Sequence, residues 1–136
     1  MDELQLLLKE GEGLTIEFKE SFSSKLDKDM VAFANTHGGR IFLGVDDRGK
    51  IVGETLTNDL KAKINSLARN CEPGVLLKSI EQIDQVVVIT IDESNEKPHS
   101  CSAGYYRRLD AATQKMNQKE LKLLFDASSN KPRFEE

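Results

Sequence analysis

Apolar and polar residues alternate strictly in the stretch LTIEFKE, residues 14–20. The apolar positions are Leu14, Ile16 and Phe18, and the polar positions between them are Thr15, Glu17 and Lys19. A period of two is typical of a strand with one buried face. Glu17 and Lys19 are therefore predicted to lie side by side on the polar face of that strand.

Helices are predicted where apolar residues recur every three or four positions. Four such segments begin at Asp2, Ser24, Asn58 and Asn117. Asp2 is suited to cap the first helix, and the pairs Ser24–Asp27 and Asn117–Glu120 resemble capping boxes. Leu121, Leu124 and Phe125 are predicted to face inward from the last helix. Gly38 and Gly39 end the second helix, and one of them is expected in the left-handed conformation that favours glycine.

Strands account for most of the remaining apolar runs. Residues 40–45 form a short apolar strand, and DDRG is a turn that joins it to a second strand at residues 50–53. Residues 75–83 and 85–92 are two further strands, of which the second is apolar on both faces and so central. A last short strand lies near residues 105–108. This order predicts an α+β fold, a single compact domain over residues 1–127 with a mixed sheet and helices packed mainly on one face. Residues 128–136 are a polar tail, which could be a cut point before a further C-terminal region.

Composition excludes several classes of protein. Hydrophobic residues are 38% of the 136 and charged residues 31%, which is ordinary for a globular domain. No apolar run approaches the roughly 20 residues that span a bilayer, so no membrane partner is expected. Cys71 and Cys101 are far apart in sequence, which fits a reducing cytoplasm, and they could pair only if the fold brought them together. His99 and Cys101 could give two metal ligands, but a zinc site needs at least a third.

The distribution of charge leaves binding to nucleic acid open. The formal net charge is −4, whereas simple electrostatic binders of nucleic acid are usually basic. Between residues 105 and 122, however, five cations face only two acids. This segment could therefore contact phosphates even though the chain as a whole is acidic. Glycine-rich motifs that would cradle a nucleotide are absent, so there is no ATP-site motif.

Three segments together resemble a known family. They are GLTIEFKES, AFANTHGGRIFLGVDDRGKIVG and EKPHSCSAGYYRRLDAAT. Their order is similar to that of the Schlafen/AlbA-like domain, also called the divergent AAA-type domain of bacterial and archaeal transcriptional regulators, and the resemblance runs from about Glu12 to Thr113. It implies a nucleic-acid-binding domain of a transcriptional regulator or an RNA-handling protein, with DNA and RNA both open as ligands. Lys97, Tyr105, Tyr106, Arg107 and Arg108 are the predicted contacts, the cations for phosphates and the tyrosines for stacking on an unpaired base.

The resemblance also implies a second possible function, a metal-dependent endoribonuclease acting on structured RNA such as tRNA. Some members of the family cut RNA with three carboxylates and a divalent metal, and the matching positions here are Glu12, Glu17 and Asp47. These three would bind Mg²⁺ or Mn²⁺, with Lys19 placed to meet a phosphate oxygen. No other cofactor is expected.

Structural roles for the same residues stay open. Glu17 could pair with Lys19 or Arg40, Asp47 could cap a turn, and the two arginines could be solvated strand residues. The zinc ligands of animal Schlafens are missing, and the chain has only one lobe where those proteins have two. A homodimer would restore the groove between two lobes. A third possible function is therefore a dimerisation or interaction module of a larger regulator.

Overall fold

Two β-sheets pack against one central helix. The structure, a computed structural model, describes residues 2–129. Its helices are α1 Glu3–Glu10, α2 Leu26–Asn35, α3 Asn58–Arg69 and α4 Gln118–Ser129. Its strands are β1 Ile16–Lys19, β2 Gly39–Leu43, β3 Leu77–Ile83, β4 Val86–Ile91, β5 Ser100–Cys101, β6 Gly104–Leu109 and β7 Ala112–Lys115. Among these residues no helix is long and apolar enough to cross a bilayer.

The larger sheet has the strand order β1-β2-β4-β3. Strands β1 and β2 are parallel, with Glu17 opposite Ile41, while the other pairs are antiparallel. Strand β4 is interior and buried on both faces, as its apolar sequence predicted. The α+β class with a mixed sheet is therefore confirmed.

Side chains from the two faces of this sheet form two cores. Helices α2 and α3 cover one face, where Phe33 and Ile64 are fully buried among residues of β2 and β4. The short helix α1 covers part of the other face through Leu4, which packs with Phe18 and Phe42. We call these the α2 face and the α1 face. Glu17 and Lys19 of β1 point to the α2 face, because they alternate with Ile16 and Phe18 of the α1-face core.

The second sheet was not predicted from the sequence. It has the order β5-β6-β7, and only β6 was expected. Strand β6 packs on α2, so this small sheet closes the polar edge of the α2 face. Strands β5 and β7 have two and four residues, too few to show a clear alternation of apolar and polar positions.

Several local predictions are confirmed. Asp2 caps α1 in a capping box with Gln5, and the Asn117–Glu120 pair makes the same reciprocal bonds at the start of α4. Gly38 is left-handed at φ +73° and donates its N–H to the carbonyl of Phe33. A Cβ on Gly38 would lie 2.6 Å from the carbonyl oxygen of Ile91, so the helix can reach the sheet this closely only with glycine there.

Three local predictions are wrong. The Ser24–Asp27 capping box does not form, because α2 starts one residue later and Lys25 occupies the cap without a side-chain bond. The strand expected at residues 50–53 is reduced to one bridge, Val45–Ile51, after which the backbone turns back so that Val52 and Gly53 both donate to the Gly44 carbonyl. Phe125 was expected to face inward but is 48% exposed. Of the predicted tail, residues 128 and 129 belong to α4, and residues 130–136 lie outside the described residues.

Candidate functional site

A cluster of charged side chains fills the α2 face beside β1. Glu17 is 8% exposed and Asp29, from α2, is 5% exposed. The Lys19 Nζ atom lies 3.9 Å from a Glu17 oxygen and 3.7 Å from an Asp29 oxygen. Lys19 thus bridges two buried carboxylates, and it does so from the polar face where the sequence placed it.

Arg108 enters this cluster from β6. Its Nη1 donates to Glu17 Oε1 at 2.6 Å and to Thr113 Oγ1 at 2.9 Å. Its Nη2 donates to the carbonyl oxygens of Gly13 at 2.6 Å and Ile16 at 3.1 Å, and its guanidinium lies 4.7 Å from the centre of the Phe33 ring. The prediction of Arg108 as a phosphate contact is therefore wrong in this structure, because the guanidinium is enclosed and bonded to protein acceptors.

The environment of Glu17 favours its neutral form. Burial is the largest cause that raises its pKa, and the nearby Asp29 and Glu12 carboxylates raise it further. The hydrogen bond from Arg108 acts in the opposite direction, and the net effect raises the pKa to about 7. A carboxyl group that titrates near neutrality inside a charged cluster can hold or release a proton at physiological pH.

The structure does not bring the three predicted metal ligands together. Glu12 lies beside Glu17 and accepts a hydrogen bond from the Phe18 N–H at 3.1 Å. Asp47 is exposed in the turn that follows β2, and this turn lies against α1, where Arg48 and Gly49 share a cleft with Leu8. Glu17 instead points to the opposite, α2, face. Within residues 2–129, no three His, Cys, Asp or Glu side chains are grouped so that they could hold a metal ion.

The turn after β2 is capped by the neighbour of Asp47. Asp46 Oδ1 accepts from the N–H groups of Arg48 and Lys50, both at 2.9 Å. These bonds lower the pKa of Asp46 below its ordinary value. The carboxylate that caps this turn is therefore that of Asp46 and not that of Asp47.

Three of the other predicted nucleic-acid contacts already have protein partners. Lys97 forms an ion pair with Glu93, and Arg107 forms one with Glu120 of α4. The Tyr105 ring meets the edge of Phe125, with ring centres 5.9 Å apart. Each of these side chains stays partly accessible, but the two cations would have to leave a carboxylate to meet a phosphate.

Tyr106 lies between two lysines on the α2 side of the small sheet. The Lys28 Nζ atom lies 5.7 Å from the centre of the Tyr106 ring. Lys115 is the cross-strand partner of Tyr106, and its side chain extends over Gly104, where a Cβ would lie 3.6 Å from its Nζ. Neither ammonium group forms an ion pair with residues 2–129 at 4.0 Å or less. We call Lys28, Gly104, Tyr106 and Lys115 the Tyr106 surface.

A cleft of about 460 Å³ opens beside the Tyr106 surface, between the start of α2, the end of α3 and the β5–β6 turn. Its charged lining residues are Lys25, Lys28 and the acid Asp27, and the polar side chains of Ser24, Asn70 and Ser102 line it as well, together with Cys71 and Cys101. Sequence reasoning missed Lys25 and Lys28, because they are far in sequence from Tyr106 and meet it only through the packing of α2 on β6.

Comparisons with known proteins give consistent results. The sequence model of the family described as Schlafen, AlbA_2 matches residues 12–117. Uncharacterized protein MJ1676 of Methanocaldococcus jannaschii is 34% identical over 93 residues, covering 66% of this chain and 37% of that protein. The crystal structure of the DIP2311 protein from Corynebacterium diphtheriae has a similar fold, with a TM-score of 0.61 and 17% identity over 89% of this chain and 25% of that one. The chain thus spans well under half the length of either relative.

Proposed function

Since the chain belongs to the Schlafen, AlbA_2 family, we propose that it is a nucleic-acid-binding domain of a transcriptional regulator or an RNA-handling protein. The observation that carries this proposal is the Tyr106 surface. It combines a partly exposed aromatic ring with two ammonium groups that form no ion pair at 4.0 Å or less with the described residues; the carboxylate of Asp27 attracts Lys28 from a greater distance. Such a combination is suited to binding a nucleic-acid strand whose bases are unpaired.

Each part of the Tyr106 surface has a separate role in this proposal. Lys28 and Lys115 contact successive phosphates, and Lys25 extends the positive charge into the neighbouring cleft. The Tyr106 ring stacks on an exposed base, which is a contact that tolerates any sequence. We therefore infer a preference for single-stranded segments over continuous duplex, in DNA or in RNA.

The acidic net charge of the chain is compatible with this surface. Long-range repulsion of phosphate is screened over about 8 Å at physiological salt, so the groups nearest to the strand dominate its binding. Two carboxylates near the surface, Glu17 and Asp29, lie buried and bonded to Lys19 and Arg108. They therefore repel the phosphates of a bound nucleic acid less than solvent-exposed carboxylates beside it would.

Fluorescence anisotropy with labelled single-stranded, duplex and tRNA ligands tests the proposal. The double variant Lys28→Gln/Lys115→Gln should bind more weakly, and its plot of log K against log salt should be less steep by about 0.7 for each lost phosphate contact to a single strand. Tyr106→Leu should weaken binding to single strands by about tenfold, in line with roughly 1–3 kcal/mol for one stacked base.

The matched control is the double variant Lys61→Gln/Lys63→Gln, which removes the same charge from the exposed face of α3. It should keep near-normal affinity and an unchanged salt slope. Equal losses in the two double variants would show that binding depends on net charge alone. No binding of any ligand near 50 mM salt would overturn the proposed function.

Metal-dependent cleavage is less well supported. The side chains that the family resemblance assigns to the metal do not fit that role as they lie here: Glu17 is bonded to Arg108, and Asp47 is exposed in a turn whose next residues, Arg48 and Gly49, line a cleft with α1. We therefore derive no catalytic step from them and infer binding without cleavage.

A further inference from the structure

Cys71 and Cys101 are placed opposite each other by an isolated antiparallel bridge. Glu72 and Ser100 exchange both backbone hydrogen bonds across this bridge, each at 2.8 Å. Cys71 directly precedes Glu72, and Cys101 directly follows Ser100. In an antiparallel pair these positions face each other without hydrogen bonds between them, with Cα atoms about 4.5 Å apart. That spacing falls within the range of about 4.4–6.8 Å found for disulfides.

The side chains of the two cysteines share one environment. Both belong to the core of the α2 face, and both line the cleft beside Lys25 and Lys28. Their charges would interact with each other and with the carboxylate of Asp27. The two thiols now donate to different carbonyl oxygens, Cys71 Sγ to Leu67 at 3.5 Å and Cys101 Sγ to Gly104 at 3.6 Å. A rotation of each side chain would exchange these weak bonds for a bond between the sulfurs.

We propose that Cys71 and Cys101 are the site of a reversible intramolecular disulfide, formed by exchange with a small-molecule disulfide that reaches them through the cleft. Cys101 is the more exposed residue, at 9% against 3% for Cys71, and its thiol loses its proton and attacks one sulfur of the small disulfide. One small thiol leaves, and Cys101 carries the other half. The Cys71 thiol then loses its proton and attacks the Cys101 sulfur, which releases the second small thiol. The protein loses two protons and two electrons, and the small disulfide gains both to become two thiols.

The surroundings of the thiols make this exchange slow at neutral pH. Burial is the main cause that raises the pKa of Cys71 to about 12, and it raises the pKa of Cys101 as well. Because only the thiolate attacks a disulfide, the rate of formation should increase with pH from 7 to 9. The site is therefore suited to sustained oxidation and not to rapid signalling.

The disulfide would join two parts of the fold. Cys71 follows the end of α3, and Cys101 ends β5 in the small sheet, so the bond would tie the segment after α3 to the small sheet. A loop of about 30 residues closed without strain restricts the unfolded chain enough to raise the thermal midpoint by roughly 5–10 °C. A strained bond would leave the midpoint unchanged or lower it.

The test uses the reduced chain incubated with oxidised glutathione at pH 8. We expect a mass lower by two hydrogen atoms, a linked peptide that contains Cys71 and Cys101 after digestion without reductant, and a higher thermal midpoint that returns to its original value with dithiothreitol. Stable glutathione adducts on the unmodified chain, disulfide-linked dimers or unreacted thiols would each overturn the proposal, and an unchanged or lower midpoint beside the linked peptide would overturn the expectation that the bond is unstrained. Cys71→Ala and Cys101→Ala are the controls: Cys71→Ala should stop at a glutathione adduct on Cys101, Cys101→Ala should keep the Cys71 thiol, and neither should give the linked peptide. If either variant fails to fold, the peptide map and the midpoint of the unmodified chain still decide the question.

Discussion

Replacing Arg108 by methionine tests whether this arginine holds the fold together. Methionine keeps an unbranched apolar side chain of similar length but has no hydrogen-bond donors. The change removes four hydrogen bonds at once, to Glu17, Thr113 and the carbonyls of Gly13 and Ile16. It leaves Glu17, a residue that is 8% exposed, without its arginine partner.

The expected loss of stability follows from these contacts. Removing one partner of a buried ion pair costs about 3–5 kcal/mol. The carbonyls add little to this cost, because the Ile16 carbonyl keeps its bond from the Gly13 N–H at 3.0 Å and Gly13 is partly exposed. Glu17 can reduce the cost by taking up a proton, since its pKa is already raised to about 7. We therefore expect Arg108→Met to lower the free energy of unfolding by about 3–5 kcal/mol at pH 8.

Arg107 is the matched control, because it is the next residue on the same strand. Its side chain is 26% exposed and pairs with Glu120 near the surface. Surface ion pairs contribute about 0–1 kcal/mol, so Arg107→Met should cost no more than that. Urea unfolding followed by circular dichroism measures both variants. Equal losses for the two arginines would refute the assignment of Arg108 to the core.

Three further predictions concern the acid cluster and the assembly of the chain. The folded chain binds the Glu17 proton more tightly than the unfolded chain does, so the free energy of unfolding should fall between pH 4.5 and about 7, by up to about 3 kcal/mol. Glu17→Gln should flatten this slope in urea titrations, and an identical slope would contradict the raised pKa. Structured RNA should stay intact with Mg²⁺ or Mn²⁺, whereas chelator-sensitive cutting that Asp47→Asn abolishes would restore the carboxylate hypothesis. Sedimentation at tens of micromolar should show a homodimer, and a strict monomer would count against the two-lobe model of the groove.

The sequence predicted the larger sheet because its strands have clear periodicity. The alternation around Glu17 and the apolar run of β4 can each be seen within the sequence of one strand. The same rule failed for the small sheet, since β5 and β7 are too short to show a period. Capping predictions succeeded at Asp2 and Asn117 and failed at Ser24, because the helix begins at Leu26 and Lys25 occupies the cap position.

The candidate site was harder to predict, because its residues meet only through tertiary packing. Arg107 and Arg108 are adjacent and identical in type, yet strand alternation turns one toward α4 and the other into the α2 face. Lys28 joins Tyr106 because α2 packs on β6. Charge counting along the chain identified a basic segment but could not separate its buried and exposed members.

The central claim is that nucleic acid binds at the Tyr106 surface, and a nuclear magnetic resonance titration tests it most directly. Amide spectra of the ¹⁵N-labelled chain would be recorded while a short single-stranded oligonucleotide, first RNA and then DNA, is added. We predict that the largest shifts occur at Lys28, Gly104, Tyr106 and Lys115, and that shifts in the turn at residues 46–49 are small. Shifts concentrated in that turn or on α3, or an unchanged spectrum at low salt, would contradict the account.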